Sequence, residues 1–156
     1  LQEVGHIRSE LTRTLDGMDY CLDWKPSDEE WSAREVIYHL VDTPEGGIHA
    51  AVQGILEGSI GELTIASDVN NMNEERRAKE LGEVLDEANT VLDGLGQALS
   101  ATSDASLAER RASVYSVARG VTEERTAQMM VERVFINHWR QHLEQLTELR
   151  EMLGVG

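Results

Sequence analysis

Apolar residues recur at steps of three and four along most of this chain, a spacing that commits it to packing amphipathic helices against one another. Val4, Ile7, Leu11, Leu15, Met18 and Leu22 mark a first helix over about residues 2–22. A second begins after Pro26, at Trp31-Ser32-Ala33-Arg34-Glu35-Val36, where Ser32 and Glu35 have the spacing of a capping box. Its apolar face, Val36, Ile37, Leu40, Ile48, Val52, Ile55 and Leu56, continues to a stop at Gly58. Thr43-Pro44-Glu45-Gly46-Gly47 interrupts that face, which predicts a kink, or a break with Thr43 as a fresh N-cap and Pro44 at N1. Residues 59–72, with Gly61, Ser67, Asp68 and Asn70-Asn71, read as the longest loop.

Leu81, Val84, Leu85, Ala88, Val91, Leu92, Leu95 and Leu99 place a third helix over about 74–101. The polar connector 100–120 holds a short strand-like alternation around Val114–Val117, too weak to assign as a sheet. Thr122 is the expected N-cap of a fourth helix, with Glu123 and Glu124 in its first turn, running to about Leu153 before Gly154. Four long helices with no internal repeat predict an all-α four-helix bundle, a single domain over 1–156. The 59–72 loop is long enough for a crossover between helices two and three.

The single cysteine, Cys21, rules out an internal disulfide framework and points to a reducing compartment, so the expectation is a cytoplasmic protein. Neither a signal-peptide core nor an apolar run near the length of a membrane span is visible in the sequence. A net charge of −15 repels phosphate backbones and anionic membranes, so neither nucleic acid nor membrane is an expected partner.

The residues with chemistry to offer are in His138-Trp139-Arg140-Gln141-His142. Histidines four apart on a helix project from one face, one turn apart, where two imidazoles can bind one metal ion. Val131, Phe135, His138, His142, Leu146, Leu149 and Leu153 fall on one apolar stripe, which turns both imidazoles inward. From this helix alone, metal ligands and core histidines bonded to neighbouring side chains are equally good readings. His39, at the edge of the second helix's apolar face, is the best third ligand, while His49 and His6 read as surface or groove histidines. Three imidazoles leave coordination positions open, as a catalytic site requires. The motif lacks the metalloprotease glutamate, since Trp139 follows His138. Asp42, one turn past His39, is a candidate proton acceptor or outer partner of the site, or else a solvated helix carboxylate.

Trp24-Lys25-Pro26 with Trp31-Ser32-Ala33-Arg34-Glu35-Val36-Ile37-Tyr38-His39-Leu40, and His138-Trp139-Arg140-Gln141-His142-Leu143-Glu144-Gln145-Leu146, resemble the two signature segments of the DinB/YfiT-like superfamily of metalloenzymes. The resemblance implies a four-helix bundle with a crossover and a divalent metal, nickel or zinc, held by His39, His138 and His142. An acidic residue often follows the first histidine in that family, which is where Asp42 falls. Relatives of this type include S-transferases that use the low-molecular-weight thiols bacillithiol or mycothiol, and a mycothiol-dependent maleylpyruvate isomerase. A thiol carrying carboxylates or sugars would require basic contacts, for which Arg34, Arg133 and Arg140 are candidates.

The leading expectation is a metal-dependent enzyme that activates a thiol or water for S-transfer to, or hydrolysis of, a small-molecule substrate. The alternative is a non-catalytic helical binding or stress-associated module with a structural or vestigial metal site. A homodimer is also expected if Trp24, Trp139, Met129 and Met130 form an apolar patch.

Overall fold

The computed structural model describes residues 1–66 and 69–155, so Ser67 and Asp68 of the expected loop lie outside it. Helix α1 spans Gln2–Leu15 and stops short of residue 22, because the chain turns at Gly17, whose φ of +78° suits glycine. Met18, Cys21 and Leu22 stay buried all the same. Three successive turns, Met18 N–H to Leu15 C=O, Cys21 to Met18 and Trp24 to Cys21, return the chain to the core every third residue, imitating a helical spacing.

Helix α2 (Ala33–Val41) opens on the expected capping box: Ser32 Oγ accepts from Glu35 N–H at 3.3 Å, and Glu35 Oε1 accepts from Ser32 N–H at 3.1 Å. The Glu35 carboxylate also meets Lys25 Nζ at 3.0 Å and accepts from Asn70 Nδ2 at 2.6 Å, tying the helix start to the loop that later closes over His39. Burial would raise the Glu35 pKa, but the Ser32 N–H and Lys25 outweigh it and hold the carboxyl below its ordinary value. The helix breaks as the Pro and Gly residues predict. The N-cap of α3 (Ile48–Glu57) is, however, Gly47 at φ +95° rather than Thr43, which is buried.

The all-α expectation is corrected by a three-stranded sheet. Strand β1 (Glu62–Ile65) lies in the expected loop and pairs parallel to β2 (Arg111–Ser116), which pairs antiparallel to β3 (Val121–Thr126) across a turn at Gly120, φ +65°. Ala112 and Val114, buried on one face of β2, pack the sheet against the bundle. The expected third helix divides into α4 (Glu74–Arg77) and α5 (Leu81–Ser100), and α6 (Asp104–Glu109) precedes β2. The fourth helix is capped by Thr126, whose Oγ1 accepts from Met129 N–H at 3.1 Å, four residues later than expected. It runs as α7 (Ala127–Met130), a π-helical stretch Val131–Asn137 and α8 (His138–Leu153).

Side-chain pairings orient the long helices. Tyr38 donates to Glu87 and His49 lies against Gly94, so α2–α3 runs parallel to α5. Arg140 pairs with Glu3 and Arg150 Nη1 donates to the Thr14 carbonyl at 2.8 Å, so α8 runs parallel to α1. The connection from α3 to α5 therefore travels back along the bundle, carrying β1 and α4 with it. Leu11, Leu15, Val36, Leu40, Val52, Leu92, Leu95, Phe135, Trp139 and Leu146 form the shared core. Trp139 and Met130 are fully buried, which removes two of the four residues expected in an apolar assembly patch. No described helix is long and apolar enough to cross a membrane.

Candidate metal centre

His39 comes from α2, while His138 and His142 come from the first turns of α8, 99 residues further along. Their ligand nitrogens all lie within 4.8 Å of one another, and His39 Nε2 stands 2.9 Å from His138 Nε2. The three ring centroids form a nearly equilateral triangle of 4.8, 4.8 and 4.7 Å, with rings crossed at 80°, 69° and 86°. Each imidazole thus presents an edge to a common centre. A tetrahedral ion about 2.0–2.1 Å from each nitrogen would set them roughly 3.3 Å apart.

The outer nitrogens decide which edge faces in. His39 Nδ1 lies 2.7 Å from the Val69 carbonyl, which can only accept, so the proton sits on Nδ1 and the Nε2 lone pair points at its neighbours. His142 Nδ1 lies 2.8 Å from Gln145 Oε1, one turn on, with the same result. His138 Nδ1 is buried without a well-formed hydrogen bond, the Val134 carbonyl acting on it as a weak acceptor. With that proton on Nδ1, three Nε2 lone pairs converge, an arrangement that neutral imidazoles resist and a divalent cation satisfies.

Burial, reinforced by His39 and His142, pushes the His138 pKa down to about 3, and burial lowers that of His142 as well. Both rings are therefore neutral ligands at pH 7. Above pH 6.5 a histidine is neutral folded or unfolded, so the shift has no effect there. Below 6.5 the unfolded chain takes up a proton that folded His138 refuses until about pH 3. Metal-free protein is therefore expected to lose roughly 3–5 kcal/mol of stability from His138 as pH falls from 6.5 to 3, read by urea unfolding. A His138→Gln variant should show a flatter pH dependence; an unchanged slope would rule out His138 as its source.

The remaining sequence candidates lie elsewhere. Asp42 accepts from Gly46 N–H at 2.6 Å and pairs with Arg76 at 3.3 Å, so its carboxylate is committed to the turn after α2 and is not among the converging donors. His49 takes the groove position, wedged where any Cβ on Gly94 would come within 2.6 Å of its ring, while His6 is exposed. Arg34 is buried on Asp23 and the Arg76 and Lys79 carbonyls, and Arg140 is held by Glu3, which leaves Arg133 as the sequence candidate beside the histidines. Arg133 and His138 line one pocket of about 260 Å³, together with Asn137, Gln141 and an arginine that sequence reasoning missed, Arg125. Trp31 closes another side, its ring 4.9 Å from that of His39 and 6.3 Å from that of His142.

The family model of the DinB superfamily matches residues 5–146. Among solved structures, the fold is similar to that of YfiT from Bacillus subtilis, described as a probable metal-dependent hydrolase with an unusual four-helix bundle topology. The TM-score is 0.71 at 17% identity, covering 99% of this chain and 86% of that one. No curated protein matches.

Proposed function

The chain belongs to the DinB superfamily, and on that premise we propose that it is a divalent-metal-dependent enzyme acting on a small molecule, with His39, His138 and His142 as the metal ligands. The observation that carries this reading is the inward convergence of three imidazole edges whose outer nitrogens are engaged by Val69, Gln145 and, weakly, Val134. A divalent ion there would lower the pKa of a bound water or thiol and supply a nucleophile near neutral pH. Hydrolysis stands first because the similar Bacillus subtilis protein is described as a probable hydrolase; S-transfer would use a low-molecular-weight thiol in place of water.

The chain's own residues do the positioning. Val69 and Gln145 fix the tautomers and ring planes of His39 and His142. Trp31 covers two of the rings and limits access of bulk water from its side. Asp42 acts at a distance: by holding Gly46 and Arg76 it fixes the break after α2, and with it the end of the helix that carries His39. A cytoplasmic setting, with Cys21 kept as a free thiol, suits this reading.

The test is turnover of small esters and amides, with and without added thiol, by protein reconstituted with zinc or nickel. Activity is expected with about one ion per chain, to disappear with EDTA and to return on re-addition of metal. A chain that takes up no ion after reconstitution would refute the assignment. One ion per chain with no turnover across the panel would favour a non-catalytic module instead.

A further inference from the structure

Resting on the metal-centre reading, we propose that the substrate carries a carboxylate, and that Arg125 and Arg133 hold it in the pocket beside His138. Arg125 projects from β3 and is only 9% exposed, yet its sole side-chain hydrogen bond among the described residues is from Nε to Glu123 Oε1 at 2.8 Å. Its two terminal amino groups have no protein partner there, and the residue lines the pocket. A guanidinium edge left unpaired in this way accepts a planar anion in a bidentate grip.

The charge balance points the same way. Glu123 Oε1 is shared by Arg125 at 2.8 Å, Arg119 at 3.0 Å and Arg133 at 3.5 Å. Three guanidinium groups around one carboxylate leave a local surplus of positive charge in a chain whose net charge is −15. That carboxylate fixes the Arg125 fork by its Nε edge and leaves the other edge unbonded. A cationic pocket within an anionic surface draws in small anions and repels little that is neutral.

Placement relative to the histidines follows from the π-helical stretch. Bonding from i to i+5 widens the turn, so residues five apart come nearly into line, and Arg133 and His138 both reach the same cavity. On an α-helix they would diverge by about 140°. At about 260 Å³ the cavity is just below the roughly 300–1,000 Å³ of pockets for drug-sized ligands, which fits a small organic acid and not a nucleotide or peptide. Ile65 and Val134 supply apolar wall for its carbon skeleton.

Calorimetric titration with succinate, succinamide and inorganic phosphate tests this on metal-free and zinc-loaded protein, with metal content measured on the same samples. Succinate is expected to bind both forms, more weakly as salt rises. Its affinity should drop tenfold or more in Arg133→Gln and in Arg125→Lys, and stay unchanged in Arg140→Gln, which removes a guanidinium bound to Glu3 instead. Succinamide should not bind. Arg133 is half-exposed, so its variant is expected to fold normally. Equal succinate affinity in Arg133→Gln and wild type, or no succinate binding by a chain that carries its ion, would overturn the proposal. Tighter binding of phosphate than of succinate would overturn the carboxylate assignment. A chain that binds succinate through Arg133 but takes up no metal would keep the anion pocket and refute the metal reading.

Discussion

His142→Ala is expected to take the purified protein from about one divalent ion per chain to near none, measured by elemental analysis after reconstitution and desalting. Three neutral imidazoles hold an ion; the two that would remain, His39 on α2 and His138 on α8, leave it mostly solvated. The substitution should be well tolerated by the fold, because His142 lies at the rim of the core with its ring on Trp31 and its Nδ1 on Gln145. Stability gives a second readout. An ion that binds only the folded chain raises stability by about 2.7 kcal/mol at one hundred times its dissociation constant. That zinc-dependent increment should vanish in the variant while the metal-free stability stays within about 1 kcal/mol of wild type. Full retention of metal by a folded His142→Ala protein would remove His142 from the ligand set.

Trp139→Ala should have the largest effect on the fold itself, a loss of about 3–5 kcal/mol. The indole is fully buried, 5.3 Å from the Phe135 ring, in the seam where α8 meets the rest of the bundle. For a chain of this length such a loss lowers the melting temperature by about 10 °C, at roughly 2–4 °C per kcal/mol. The Nε1 of Trp139 is buried with no partner among the described residues, so Trp139→Phe discards an unsatisfied donor along with some packing and should be the milder change. A melting temperature within about 2 °C of wild type for Trp139→Ala would mean that this seam is not part of the core.

The three histidines were legible in the sequence because each sits where local rules are strong. Ser32 and Glu35 fix the start of α2 and so the facing of His39, and the four-residue spacing of His138 and His142 survives intact in α8. What the apolar stripe concealed is the exchange of roles between His138 and Trp139. The large side chain fills the core, and the imidazoles lie on its flank, half-buried, where an ion and a substrate can reach them. The arginine pocket was hidden for a different reason. Thr122, Glu123 and Glu124 suit the first turn of a helix as well as any residues do, and that reading leaves Arg125 on a helix surface. Pairing with β2 overrides it, and Val121–Thr126 carries no alternation of apolar and polar residues that would announce a strand. Arg133 was among the basic candidates, but its alignment with His138 was not legible, because helical spacing presumes 3.6 residues per turn and residues 131–137 do not keep it.

The order of the histidine-bearing helices along the chain also bears on assembly. His39 lies on α2, whose parallel partner α5 follows within the first two-thirds of the chain, whereas His138 and His142 arrive on the last helix. During synthesis the N-terminal helices can meet before the C-terminal histidines have left the ribosome. An ion can then be held by all three ligands only when the final helix docks along α1 and closes against α2. An ion held by all three histidines would therefore not seed the fold, as zinc does in a finger domain; it would enter a scaffold that hydrophobic packing has already built, and would report that the last segment has found its place.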